Sequence, residues 1–299
     1  MIKECELYKK QKGKKVRCLA CAHKCLISEG KTGICGVRKN TKGKLYLLVY
    51  GKVASMNIDP IEKKPLYHFY PGSYAFSIGT VGCNFKCDFC QNFDISQASK
   101  QNASSEASAS EDRRIFGEEI TPENVVISAI KMNCKSIAYT YNEPAIYLEF
   151  IKDCAVLAHE NGLKNVLVTN GYFSRESFDF IKKYIDAANI DLKSFKESFY
   201  NKSCGAKLKP VLDNIKWFHK QGIHIEITTL IIPGLNDSNS ELQKIARFIS
   251  SVDRNIPWHI SRFFPMYKMT GKEVTPRETL ENAYNIGKKY LNDVHIGNV

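Results

Sequence analysis

From Ser73 to the end of the chain, strand-like runs alternate with helical runs, and this rhythm limits the possible folds more than any other feature. The strand-like runs are Ser73–Thr80, Ser136–Tyr141, Asn165–Asn170, Ala188–Lys193, Ile223–Leu230 and Pro257–Phe263. Each is followed by a segment with helical spacing of apolar residues. The first of these opens at Thr121-Pro122, a hydroxyl cap followed by proline at the first helical position. Six strand–helix units imply parallel strands joined by helical crossovers. An open doubly wound sheet and a partial barrel both satisfy the pattern. In either, ligands bind at the carboxyl ends of the strands.

Residues 1–60 break this rhythm. They are rich in Cys, Lys and Gly, and they read as a small metal-stapled unit ahead of an α/β domain over 61–299. Residues 96–117 are polar and rich in Ser and Ala, the composition of a mobile insertion. The amino-terminal residues are charged and polar, without the apolar centre of a signal peptide. No apolar run reaches the ~18 residues of a membrane span. The expectation is a cytoplasmic protein without membrane contact. The formal charge is +12, but its lysines are scattered and form no basic run interleaved with aromatics. Such a charge suits a solvated surface better than a nucleic-acid site.

Seven of the eleven cysteines fall into two tight groups. In a reducing compartment, grouped cysteines more often bind metal than pair as disulfides. Cys83, Cys87 and Cys90 follow the first strand with spacing C-x3-C-x2-C. Three thiolates on one short loop can hold a four-iron cubane and leave one iron open. Zinc is the rival occupant, although its sites more often pair two C-x2-C units. Cys18, Cys21, Cys25 and Cys35 have spacing C-x2-C-x3-C-x9-C and supply enough ligands to close a site for zinc or a second iron–sulfur cluster. His23 is a substitute ligand there. Cys5, Cys134 and Cys154 read as incidental, and Cys204 as an ordinary thiol that lies near the top of the domain.

The segment from Asp59 to Gln97, with the cysteine loop GCNFKCDFCQN at its centre, resembles the radical S-adenosylmethionine (SAM) enzymes. Within them it resembles the pyruvate formate-lyase activating enzyme-like branch, and most narrowly the radical SAM component of the AmmeMemoRadiSam system. The resemblance to that component runs over nearly the whole chain. It implies a (β/α)6 partial barrel. It also implies a [4Fe–4S] cluster on Cys83, Cys87 and Cys90, reductive cleavage of SAM to a 5′-deoxyadenosyl radical, and hydrogen abstraction from a substrate. A ferredoxin or flavodoxin would donate the electron, and Memo-like and AMMECR-like proteins would be partners.

Polar residues at the other strand ends supply the expected SAM contacts. Asn142 and Glu143 stand where the family has Gly-Gly-Glu, so the carboxylate is present but the glycines are not. Thr169 and Asn170 end the third strand. Asp191 and Lys193 match the Asp-x-Lys of activating enzymes, with the lysine near the SAM carboxylate. His259 matches a SAM-facing histidine, and Arg262 is a weaker candidate. Glycyl-radical activase is the alternative function, and a cluster-binding sensor without catalysis a more distant one.

Overall fold

The computed structural model describes residues 1–100 and 115–299. Eight strands form its main sheet: β1 (Ser55–Pro60), β2 (Tyr74–Gly79), β3 (Ser136–Tyr139), β4 (Lys164–Thr169), β5 (Ala187–Asp191), β6 (His224–Ile231), β7 (Trp258–Arg262) and β8 (Val294–Gly297). They are neighbours in chain order. β1 runs antiparallel to β2, and every later pair is parallel. The sheet ends in two edges, β1 and β8, so it forms a partial barrel.

The crossovers are α1 (Pro122–Lys131), α2 (Leu148–Glu160), α3 (Arg175–Ile181), α4 (Leu208–Lys220), α5 (Asn239–Val252) and α6 (Arg277–Gly287). α4 shows why they form. Leu208, Val211, Ile215 and Phe218 recur at helical spacing and are buried, while Lys209 and Lys216 face outward. Thr121 caps α1 by accepting from the Asn124 amide, as its sequence implies.

Two strands escape the rhythm of the sequence. β8 has only four residues and follows directly on the last helical run. β1 moves the boundary expected at residue 60, because Ser55–Pro60 pairs with β2 inside the large sheet. The polar stretch expected as an insertion over 96–117 falls largely outside the described residues.

Two small antiparallel sheets make up most of the amino-terminal unit, and its apolar residues join the same core as the barrel helices. A buried ion pair fastens the two parts. The Arg38 guanidinium donates to both carboxylate oxygens of Glu149 on α2 and to the Ile146 carbonyl. Glu149 also accepts the Glu6 and Leu7 amides.

The connector from Ile61 to Gly72 closes the amino end of the barrel. Ile61 and Leu66 pack against Ala75, Ala138, Val166 and Ala187, whose small side chains leave room for them. Above this plug the sheet encloses a cavity of about 640 Å³, open toward the carboxyl ends of the strands.

Candidate functional site

The cysteine loop leaves β2 through Gly82, which has φ +93°. A Cβ there would stand 2.7 Å from the Cys35 carbonyl oxygen, so both conformation and space require glycine. Two backbone bonds then seat the loop on the segment after β5. The Lys86 amide donates to the Cys204 carbonyl at 2.8 Å, and the Asp88 amide to the Ser203 carbonyl at 3.0 Å. These bonds bracket Cys87 and set it beside Cys204. That neighbour, and then burial, push the Cys87 thiol well above its usual pKa. The Cys90 thiol lies 3.1 Å from the Ser96 hydroxyl.

Cys83, Cys87 and Cys90 all line the cavity. So do Asn142, Glu143, Thr169, Asn170, Asp191, Lys193 and His259. Residues spread over 176 positions of sequence thus meet at one surface, the difference between 83 and 259. Strand register accounts for part of this. Asp191 pairs with Thr228, and Thr228 with His259, so the three lie side by side across the sheet.

Their bonds sharpen the roles expected of them. Asn142 is a staple. Its side-chain amide donates to the Thr80 hydroxyl and the Gly82 carbonyl, each at 2.9 Å, and its oxygen accepts the Thr80 amide. It holds the start of the cysteine loop against β3. Glu143 accepts from the Thr169 hydroxyl at 2.7 Å, the Asn170 amide at 2.8 Å and the Ala145 amide at 3.0 Å. These bonds tie the ends of β3 and β4 together. Burial pushes its carboxyl up to about 7, against the pull of these donors. Four acceptor positions on a carboxylate minus three donors leave room for one more.

The Lys193 ammonium stands 2.7 Å from an Asp191 carboxylate oxygen. Burial opposes its charge, but Asp191 foremost among its neighbours outweighs burial and raises its pKa. A fixed cation and anion beside the cysteine loop suit a zwitterionic ligand. His259 is turned toward Glu226, with Nε2 2.6 Å from a carboxylate oxygen, so only its other ring nitrogen is left to meet a ligand. Arg262 instead donates to the Thr275 carbonyl and does not line the cavity, which removes it as a ligand contact. His23 is likewise engaged elsewhere, with Nε2 3.0 Å from the Asn84 carbonyl oxygen.

Glu226 and Tyr141 were not singled out from sequence. Glu226 gathers four donors: the amides of Tyr67 and His68 and the imidazoles of His224 and His259. Its trace was present in the sequence as a lone acid at an alternating position of an apolar strand. Tyr141 has φ +66°, and its hydroxyl donates to Asp59, which also holds the buried Lys64 at 2.5 Å.

The cysteines of the amino-terminal unit lie apart from the cavity. Cys18, Cys21 and Cys35 are buried and Cys25 is half-buried. The Cys18 amide donates to the Cys25 carbonyl at 2.9 Å. Burial raises the thiols of Cys18, to about 11, and of Cys21 and Cys25. Cys5, which reads as incidental, is buried in the same unit within electrostatic reach of Cys18 and Cys35.

Among the described residues, no three His, Cys, Asp or Glu side chains are already arranged to hold a metal ion. The donor set of the loop nonetheless fits an iron–sulfur cluster: the three cysteines line one cavity, and their thiols supply the soft ligands such a cluster takes. No described helix is long and apolar enough to cross a membrane.

The family model of the radical SAM superfamily matches residues 77–249. An uncharacterized protein of Methanocaldococcus jannaschii is 45% identical over 300 residues, spanning 100% of this chain and 86% of that protein. The pyruvate formate-lyase-activating enzyme of Clostridium pasteurianum is 22% identical over 231 residues, spanning 71% of this chain and 88% of the enzyme. A radical SAM methyltransferase from Sphaerobacter thermophilus shares the fold, with TM-score 0.55 at 13% identity over 77% of this chain and 67% of its own. The superfamily works with a [4Fe–4S] cluster and SAM. With the cysteine loop at the carboxyl end of the first parallel strand and the family match spanning more than half its length, the chain belongs to the radical SAM superfamily.

Proposed function

We propose that this protein reductively cleaves SAM to a 5′-deoxyadenosyl radical and uses the radical to abstract a hydrogen atom from a substrate held in the cavity. The observation that carries this reading is the meeting of three loop thiols with the Asp191–Lys193 pair and Glu143 on one surface. Cys83, Cys87 and Cys90 would hold the [4Fe–4S] cluster, which supplies the electron and an open iron for SAM. Lys193 would face the SAM carboxylate. Asp191 and the spare acceptor position of Glu143 would face its ammonium. Thr169 and Asn170 act through Glu143 by fixing its carboxylate, and Asn142 acts by holding the loop. Cys18, Cys21, Cys25 and Cys35 would bind a second metal, zinc or an iron–sulfur cluster, that stabilises the amino-terminal unit. We assign the protein to an AmmeMemoRadiSam system, with a ferredoxin or flavodoxin as donor and Memo-like and AMMECR-like partners. The resemblance around the cysteine loop supports this assignment.

Electron paramagnetic resonance tests the site. The reduced, reconstituted protein is expected to show a cluster signal that changes when SAM is added. A signal indifferent to SAM would count against the reading. The similarity to an activating enzyme favours one other reading, a glycyl-radical activase. A SAM-dependent glycyl radical on a partner protein would select it.

Glu143 gives the site a pH dependence. Its carboxyl sits near 7, and only the ionised form attracts an ammonium. SAM affinity should therefore decline as the pH falls through about 7, toward the affinity of Glu143→Gln. Calorimetric titration of the reconstituted protein measures this. Glu143→Gln should flatten the profile and weaken binding. A wild-type profile already flat across that range would limit Glu143 to joining β3 and β4.

A further inference from the structure

One peptide group of the cysteine loop is held at both ends. The Phe85 amide donates to the Cys83 sulfur at 3.4 Å, so this N–H points at a loop sulfur. The carbonyl of the same peptide belongs to Asn84, and Nε2 of His23 stands 3.0 Å from its oxygen. A carbonyl oxygen only accepts, so Nε2 carries the hydrogen and donates it. A trans peptide is planar, with its C=O and N–H pointing opposite ways. A bond that fixes the carbonyl therefore also aims the N–H, and it polarises the peptide so that the N–H donates more strongly.

His23 reaches this peptide from the amino-terminal unit. It sits in a turn closed by the Lys24 amide, which donates to the Cys21 carbonyl at 3.0 Å. The Ala22 amide donates to the Tyr172 carbonyl at 3.0 Å and pins the turn to the segment after β4. The Tyr172 ring packs against both partners, with centroids 4.8 Å from His23 and 5.1 Å from Phe85. Tyr172, Phe85 and Asn84 are all buried, so water does not compete strongly for these bonds.

As a thiolate ligand of a cluster, the Cys83 sulfur carries negative charge. An N–H bond to such a sulfur favours the reduced cluster, which holds one more negative charge, and so raises the reduction potential. We propose that His23 is a positioning residue for the loop cluster: through the Asn84–Phe85 peptide it holds an N–H on the Cys83 sulfur and raises the potential. This rests on the assignment of the cluster to Cys83, Cys87 and Cys90. The amino-terminal unit thereby acts on the centre that takes up the electron.

Two variants separate the electronic role from a structural one. His23→Ala removes the donor. His23→Gln keeps one, because the glutamine amide reaches about as far as the imidazole Nε2. Redox titration of the reconstituted proteins follows only the resonance signal that responds to SAM, so any metal at the amino-terminal cysteines is excluded. His23→Ala should reduce at lower potential than wild type, and His23→Gln close to the wild-type value. In metal-free protein, the Phe85 amide should exchange its hydrogen about tenfold faster in His23→Ala, with most of the protection restored in His23→Gln. An unchanged potential in His23→Ala with an intact cluster would overturn the proposal, as would a His23→Gln potential as low as that of His23→Ala. If His23→Ala assembles no cluster, the exchange measurement decides, and wild-type protection of Phe85 in that variant overturns the proposal. A wild-type signal without any SAM response would instead refute the assignment of the loop, which is a separate failure.

Discussion

Replacing Cys87 by alanine is expected to abolish 5′-deoxyadenosine formation while leaving a folded protein. Cys87 is the middle cysteine of the loop and is bracketed by the bonds of Lys86 and Asp88 to the segment at Ser203 and Cys204. Those bonds use backbone groups, so the loop keeps its course without the sulfur. The loss of one small buried side chain should cost about 1 kcal/mol of stability. With two thiolates left, the loop cannot hold a cubane, and SAM loses the iron it would bind. Metal at Cys18, Cys21, Cys25 and Cys35 should be retained, since those residues lie apart from the cavity. Iron analysis, circular dichroism and product chromatography on the same sample separate these outcomes. Wild-type activity in Cys87→Ala would show that the loop is not the site.

The largest stability effect should come from Glu149→Ala. Arg38 and Glu149 are 1% and 0% exposed, and the pair links the amino-terminal unit to α2. Truncating the acid strands a buried guanidinium and leaves the Glu6 and Leu7 amides without their acceptor. A loss of about 3–5 kcal/mol is expected, read from denaturant unfolding. The double variant Arg38→Met with Glu149→Leu should recover much of it, because no charge then remains buried. A single-variant loss below about 1 kcal/mol would mean that the two parts are held mainly by their shared apolar core.

The sequence and the structure agree where the physics is local. Each of the six strand runs lies in the sheet, because a buried parallel strand reads as a short apolar run between turn signals. The cysteine loop and the cap at Thr121 were legible for the same reason. The roles of the polar residues at the strand ends were less so. Asn142 and Glu143 look alike as ligand contacts, yet both side-chain donors of Asn142 are taken by Thr80 and Gly82, while Glu143 keeps an open acceptor position. That difference depends on which neighbours the fold delivers. Arg38 and Glu149 are 111 positions apart, and nothing near either announces the other. β8 is too short to register as a run, and β1 could be assigned to the sheet only once its partner was known.

Cleavage of SAM in this cavity is the role proposed for Cys83, Cys87 and Cys90. Its most direct measurement is product analysis after anaerobic reconstitution with iron and sulfide, followed by SAM and dithionite. The expected result is 5′-deoxyadenosine from the wild-type protein, dependent on SAM and reductant and absent from Cys87→Ala. An intact, reducible loop cluster that yields no 5′-deoxyadenosine would contradict it.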